Sequence, residues 1–455
     1  MTETAPTMTN PCRPRRPVMV GIFCLVFLFE AGFGLYYAQS EFSKKGWTSA
    51  IDPFARGLTY IFPPGREYRF DDSYAYNRLA YSLLEKGGFY NPLGQVSAWV
   101  TPGYPLALAV VYGAFGYSFL AALLLNALCV TLAYYFLFRL SREQFGPSVA
   151  WIVLGLLALN LRISYHVGYA YSDLLFVCLL SVTVYLAHRV LSEPNLGWRW
   201  FFWLGVIAGY GTLVRPVMAP VLAVLVVVSL MQRVPWPKLL LACALAALVF
   251  CPWVIRNYIR FGRFVISTAS EQSWAFVDYE AYRNFSFWDS YRVIHPAKMV
   301  PQRVVQKAQQ LGETGTLSME RTSYLLERTS YLFREDFQQW RRQNLGLYLW
   351  VCAWRFKSML MPYTADMSVR NQHISLAVWC LTFPPAVAAG FWLWRNKFYW
   401  ITWALVGALS VLPALLGVDM YLRYQLPGQL LLSVPAGFFF HSVYEQARRR
   451  AATEV

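Results

Sequence analysis

Continuous apolar runs, each roughly 20 residues long, recur from Val18 to the Phe-rich segment near the carboxyl end. As helix, such a run covers about 30 Å of hydrocarbon, whereas a membrane barrel would alternate polar and apolar residues. The expectation is an all-α polytopic membrane protein, one integral membrane domain over residues 1–455. The composition agrees: with 57% hydrophobic and only 14% charged residues there is not enough polarity to cover a water-exposed surface. Soluble enzymes, nucleic-acid readers and disordered tails are excluded. The net charge of +16 is therefore read as topology and attraction to the lipid bilayer, with no nucleic acid as partner.

The basic residues set the orientation. Arg13, Arg15 and Arg16 precede an apolar stretch from Val18 to about Ala38, which predicts a cytoplasmic amino terminus and an uncleaved first helix. Further spans read as Phe119–Leu140, Val149–Tyr165, Leu174–Val190, Trp200–Val214, Val217–Met231, Leu239–Ile255, Ile374–Trp394, Tyr399–Val418 and Leu426–Val443. About ten transmembrane helices then put Arg139/Arg142, Arg189/Arg199, Arg233/Lys238, Arg395/Lys397 and Arg448–Arg450 all inside, with the carboxyl terminus. Two shorter apolar pieces, 102–115 and 346–361, are expected as re-entrant or interfacial helices. Two large extracytoplasmic loops remain, 41–100 and 256–345. The second has polar stretches, Arg303–Leu311 and Met319–Arg342, suited to surface helices. The eight cysteines lack paired spacing and read as core residues.

Function should sit on the outer face. Asp71 and Asp72 open an amphipathic pattern that continues through Tyr74, Arg78, Ala80 and Leu83. Neighbours on a helix point about 100° apart, so one acid can face a site while the other caps the helix or pairs with Arg78. Arg215, Arg256 with Asn257, and Arg423 with Tyr424 each stand at a predicted outer span end, and Arg162 and His166 lie near another. Arginine at outer ends runs against the positive-inside rule, so its accumulation there needs another cause. Convergent guanidinium groups suit phosphate, which they bind bidentately at any relevant pH. Glu30 and Asp173 are acids within or beside spans, costly unless they line a cavity or pair. The histidines lack metal-ligand spacing. Asp71, Asp72 and Asp173 leave room for a shared divalent ion, but no cofactor is fixed by the sequence.

Together these residues form a pattern: Asp71-Asp72-Ser73-Tyr74 with Arg78, Gly87-Gly88-Phe89, Thr101-Pro102-Gly103-Tyr104-Pro105, Tyr171-Ser172-Asp173, Thr212–Pro216, Pro252–Tyr258 and Arg423–Pro427. It resembles the GT-C membrane glycosyltransferases, specifically the polyprenyl-phosphate-sugar-dependent group that includes protein O-mannosyltransferases and lipid A aminoarabinose transferases. The resemblance implies inverting transfer of a monosaccharide from a polyprenyl phosphate to a glycan, lipid or protein acceptor, at the outer face of a bacterial inner membrane. It implies Asp71 or Asp72 as general base, Asp71 favoured. Arg256, Arg215, Arg423 and Asn257 become donor-phosphate contacts, and Arg78, Tyr74, Tyr104, Asp173, His166 and Tyr424 substrate contacts. Asp72 stands where the aminoarabinose transferases have glutamate, and the Thr101–Pro105 motif lacks their lysine, which argues against that sugar. The competing reading is a polytopic lipid or glycan transporter, which calls for broken helices and acids near the bilayer midplane. A non-catalytic anchor or assembly factor, the third reading, would tolerate loss of the loop acids.

Overall fold

The computed structural model describes residues 16–45, 56–57, 72–91, 94–193, 195–269, 337–362, 369–416 and 422–453. Asp71 and residues 46–55, 58–70 and 92–93 of the first outer loop lie outside them, as do Arg303–Leu311 and the part of Met319–Arg342 before residue 337. The described chain is built from helices: α1 Arg16–Lys45, α2 Asp72–Lys86, α3 Gly103–Phe115, α4 Phe119–Phe145, α5 Pro147–Ala158, α6 Leu161–Val167, α7 Asp173–Ser192 and α8 Trp198–Val214. There follow α9 Met218–Met231, α10 Trp236–Phe261, α11 Leu345–Leu360, α12 Val369–Ala388, α13 Gly390–Leu393, α14 Lys397–Leu416, a 3₁₀ turn Leu422–Gln425 and α15 Leu426–Thr453.

Each of the ten predicted crossings is occupied by helix. Six stretches are long and apolar enough to cross a membrane: Pro17–Gln39, Phe119–Phe145, Asp173–Ser192, Trp236–Phe261, Val369–Leu393 and Lys397–Leu415. The protein is a multi-pass membrane protein of helical type. A seventh candidate is the pair α5 and α6, which bends by 56° where the two meet. Helices α8 and α9 are only 17 and 14 residues long, because Arg215-Pro216 interrupts the apolar run between them. Proline forces its predecessor out of the helical region, and Arg215 is indeed extended. The two short pieces form α3 and α11, of 13 and 16 residues, or about 20 and 24 Å of helix.

Local chemistry sets the joints. The Ser118 hydroxyl accepts a hydrogen bond from the Ala121 amide at 3.1 Å and caps α4. Gly146 ends that helix at a φ of 95°, and Pro147 starts α5 in its first turn. The centre of the bundle is α4, which packs on α1, α5 and α7, while α7 carries α8 and α15 lies against α5 and α12. Gly205 and Gly209 let α8 and α10 touch, since a Cβ on Gly209 would meet the Ala246 Cα at 2.8 Å. In lipid, where apolar side chains gain little by leaving solvent, such small-residue contacts drive helix association. Tyr134, Phe138, Phe176 and Phe201 fill the interior, while Leu25, Leu28, Leu240, Leu248 and Ile259 face outward in the manner of lipid-facing surface.

Candidate active site

Four chain segments bring polar groups to one end of the bundle, away from the Arg139 and Arg189 end. Helix α2 begins with Asp72 in its first turn, where the partial positive charge of a helix N-terminus favours an acid. Helix α7 begins with Asp173 in the same way. The end of α8 delivers Arg215, and the 3₁₀ turn before α15 delivers Arg423, Tyr424 and Gln425. With three residues per turn, these last three side chains diverge and engage different neighbours.

Asp72 forms an ion pair with Arg423 through Oδ2 and Nη2. Asp173, 1% exposed, pairs with Arg215 at 2.8 Å. Arg215 also donates from Nε to the Ser172 hydroxyl at 3.1 Å, and that hydroxyl lies 2.9 Å from the Tyr76 hydroxyl. The two pairs share one aromatic ring: Arg215 lies over Tyr424 at 5.0 Å from its centroid and Arg423 at 5.5 Å, with Arg423 also over Tyr171 at 5.2 Å. Each guanidinium is thus held by a carboxylate on one side and by the Tyr424 ring. Burial alone would lower the Arg423 pKa, but the Asp72 charge, with Tyr424, Asp173 and Tyr171, carries it well above its ordinary value. Arg423 therefore stays cationic. Burial and the Asp72 charge push the Tyr76 phenol up, so that Tyr76 stays protonated and serves in hydrogen bonding.

A scaffold of polar contacts fixes these positions. Tyr76 meets Tyr104 edge to face at 5.1 Å, the Tyr104 hydroxyl donates to Asn126 Oδ1 at 3.1 Å, and Asn126 Nδ2 donates to the Tyr169 carbonyl at 2.6 Å. The Thr101 hydroxyl donates to the Val214 carbonyl at 2.9 Å and the Tyr210 hydroxyl to the Gly103 carbonyl at 2.8 Å. These tie the start of α3 to the end of α8 just before Arg215. Glycine is needed at position 103, because a Cβ there would lie 2.6 Å from the Val214 amide nitrogen. His166 lies beside the Arg162 carbonyl at 2.6 Å from Nδ1 and feels the charges of Asp173 and Arg423. Arg162 in turn reaches Gln425 Oε1 at 3.5 Å.

Of the expected residues, the structure brings together Asp72, Tyr104, His166, Asp173, Arg215, Arg423 and Tyr424. Tyr74 and Arg78 stack on one another along α2, with the guanidinium 5.4 Å from the ring centroid. Arg256 and Asn257 are engaged with the backbone of neighbouring loops. Arg256 donates to the Ser97 carbonyl at 2.8 Å, the Phe89 carbonyl at 3.2 Å and Asn257 Oδ1 at 2.7 Å, and lies over Trp253 at 4.8 Å. Asn257 donates to the Val265 carbonyl at 2.9 Å. These contacts brace the loop before α3 against the end of α10. Among the described residues no group of three His, Cys, Asp or Glu can hold a metal ion, and Asp72 and Asp173 pair with different arginines. Sequence reasoning missed Tyr76 and Asn126. Tyr76 lies one helical turn after Asp72, and Asn126 is a lone amide in an apolar helix, so both carried a signal.

Residues 100–255 match the family described as dolichyl-phosphate-mannose-protein mannosyltransferase. Among solved structures, the archaeal oligosaccharyltransferase AglB from Archaeoglobus fulgidus, in complex with an inhibitory peptide and a dolichol-phosphate, is similar with a TM-score of 0.50 and 14% identity. The similarity covers 96% of this chain and 52% of that one. The fold resembles that of the GT-C membrane glycosyltransferases. ArnT from Cupriavidus metallidurans, bound to undecaprenyl phosphate, is similar at a TM-score of 0.41 and 15% identity, over 93% of this chain and 78% of that one. No curated protein matches the sequence. The stretch that matches the mannosyltransferase family includes Asp173 and Arg215 but ends short of Asp72 and Arg423 on both sides. Within the GT-C-like frame, it is tertiary folding that adds those two residues to the matched core.

Proposed function

We propose that the protein is an inverting glycosyltransferase that moves a monosaccharide from a polyprenyl-phosphate donor to an acceptor hydroxyl at the extracytoplasmic face of the inner membrane, with both termini in the cytoplasm. The observation that carries this reading is the convergence of the Asp72–Arg423 and Asp173–Arg215 pairs on Tyr424. Two fixed cations and an acid side by side are what displacement of a sugar from a lipid phosphate requires. The likeness to a dolichyl-phosphate-mannose-dependent family over residues 100–255 supports the donor class.

In this mechanism Arg215 and Arg423 bind the donor phosphate. A phosphate competing for Arg423 weakens its hold on Asp72 and frees that carboxylate. The acceptor oxygen attacks the anomeric carbon as its proton passes to a carboxylate of the Asp71/Asp72 pair. The carbon–oxygen bond to phosphate breaks with its electron pair, and the two arginines stabilise the charge that develops on the leaving phosphate. Such base catalysis contributes about 10²–10⁴-fold. Asp71 is the base favoured by the motif; Asp72 is the acid paired with Arg423. Asp173 and Ser172 orient Arg215, Tyr76 and Tyr104 shape the floor, and His166, Tyr74 and Arg78 are assigned to acceptor or sugar contacts. Arg256 and Asn257 support the site through the loop they hold.

The test is turnover of a polyprenyl-phosphate-sugar donor by purified Asp71→Asn and Asp72→Asn variants that insert and fold normally. The reading expects at least one to lose about 100-fold or more. Unchanged turnover in both would remove the proposed base.

A further inference from the structure

Away from this site, inside the membrane-spanning bundle, three buried polar side chains from three helices, Glu30, Tyr134 and Ser164, lie close together, and the buried amide of Asn160 stands at the start of one of those helices. Glu30 of α1 is fully buried, as are Tyr134 of α4 and Ser164 of α6, and Asn160, which precedes α6, is 1% exposed. Glu30 faces the Ser164 and Tyr134 hydroxyls. Yet both Glu30 oxygens, the Tyr134 and Ser164 hydroxyls and both polar atoms of the Asn160 amide are buried without a hydrogen-bond partner. Asn160 stands at the N-cap of α6, whose first turns carry Ser164. Close packing makes the meeting possible: a Cβ on Gly34, one turn beyond Glu30, would strike Val167 Cγ1 at 2.7 Å, so α1 rests directly on α6.

We propose that these residues form a binding site for a small monovalent cation of sodium size. The donor chemistry selects it. All the side-chain donors are oxygens, which suits hard cations and not soft metals. Their total charge is that of one carboxylate, which neutralises a single positive charge; divalent sites usually gather more. Among the described residues Glu30 has no ion-pair partner, and an uncompensated carboxylate inside a bundle is costly. The backbone contributes as well. Helix α5 ends at Ala158, shortly before the α6 helix that carries Ser164, and the chain bends between the two by 56°. The carbonyl end of a half-helix carries partial negative charge and is a recurrent partner of sodium in membrane proteins with broken helices. Bound there, the cation ties α1, α4 and α6 together, and α6 carries Arg162 and His166 towards the outer site.

Thermal unfolding of the full chain in detergent, in sodium chloride against choline chloride at equal ionic strength, tests this. Sodium is expected to raise the midpoint saturably, by about 4 °C at a hundredfold excess over its dissociation constant. Glu30→Gln, nearly isosteric and neutral, is expected to fold and lose that increment. Ser164→Ala and Tyr134→Phe keep the carboxylate and should shift the half-saturating sodium concentration upward about tenfold, so the test stands even if Glu30→Gln fails to fold. Identical midpoints in the two salts overturn the proposal, as does a sodium increment that survives in Glu30→Gln or is unmoved by Ser164→Ala and Tyr134→Phe. A carboxyl that carries its own proton would behave in the first of these ways.

Discussion

Two arginine–carboxylate networks occupy opposite ends of the bundle, and they are built on different principles. At one end, Glu143 binds Arg139 at 2.7 Å and Arg189 at 3.3 Å, and Arg189 also holds Glu193 at 2.9 Å. Two of these three pairs are one helical turn apart, the side chains are partly exposed, and Tyr185 completes the coordination of Glu143 at 3.0 Å. At the other end, Asp72–Arg423 and Asp173–Arg215 join distant parts of the chain, and both arginines crowd one tyrosine ring. The first network is made by the local helical repeat and strengthens a surface. The second exists only because α2, α7, α8 and the turn before α15 meet. It gathers two arginines and two carboxylates around one tyrosine, and in the proposed mechanism a phosphate competes for the arginines.

The contrast can be broken by substitution. The largest effect is expected at the acid pair: at least one of Asp71→Asn and Asp72→Asn should lower turnover by about 100-fold or more, with insertion unchanged. Next is Arg215→Ala, which leaves Asp173 buried without its cation; a loss of about 3–5 kcal/mol is expected, read as a lower unfolding midpoint. The double variant Arg215→Met with Asp173→Asn should recover much of that stability but no donor binding. Arg256→Ala removes charged hydrogen bonds to the Phe89 and Ser97 carbonyls, each contributing about 1.5–3 kcal/mol, and should appear as faster amide exchange over residues 89–97. The smallest effect belongs to Glu143→Gln. Exposed pairs contribute about 0–1 kcal/mol, so turnover should be unchanged and the midpoint nearly so; a large loss of turnover there would erase the distinction between the two ends.

What could be read in advance follows the same division. Helices α1, α4, α7, α10, α12 and α14 announce themselves through hydropathy, because lipid demands a continuous apolar run with internally bonded backbone. Joints such as Ser118, Gly146-Pro147 and Arg215-Pro216 are legible because capping and proline chemistry act over a few residues. Of the individual site residues, Arg215 and Arg423 stood out as charges at outer span ends, Asp173 as an acid at the start of a span and Asp72 as an acid of the first outer loop. Their pairing did not, since nothing local specifies that Asp72 meets Arg423 and Asp173 meets Arg215. Arg256 shows the limit most clearly. Beside Asn257 and Trp253 it engages the backbone carbonyls of Phe89 and Ser97, groups that every residue carries, so no side-chain pattern announces these contacts. Glu30 was visible as an intramembrane acid, but its neighbours Tyr134, Asn160 and Ser164 come from other elements and appear only in the folded chain.

The central claim is that Arg215 and Arg423 together make one phosphate site beside an acid. It is tested most directly by titrating a polyprenyl phosphate, without sugar, into wild type, Arg423→Ala, Arg215→Met/Asp173→Asn and Glu143→Gln proteins of verified fold. The account predicts at least tenfold weaker binding in the first two variants and wild-type affinity in the third. Equal affinity in all four proteins would contradict it.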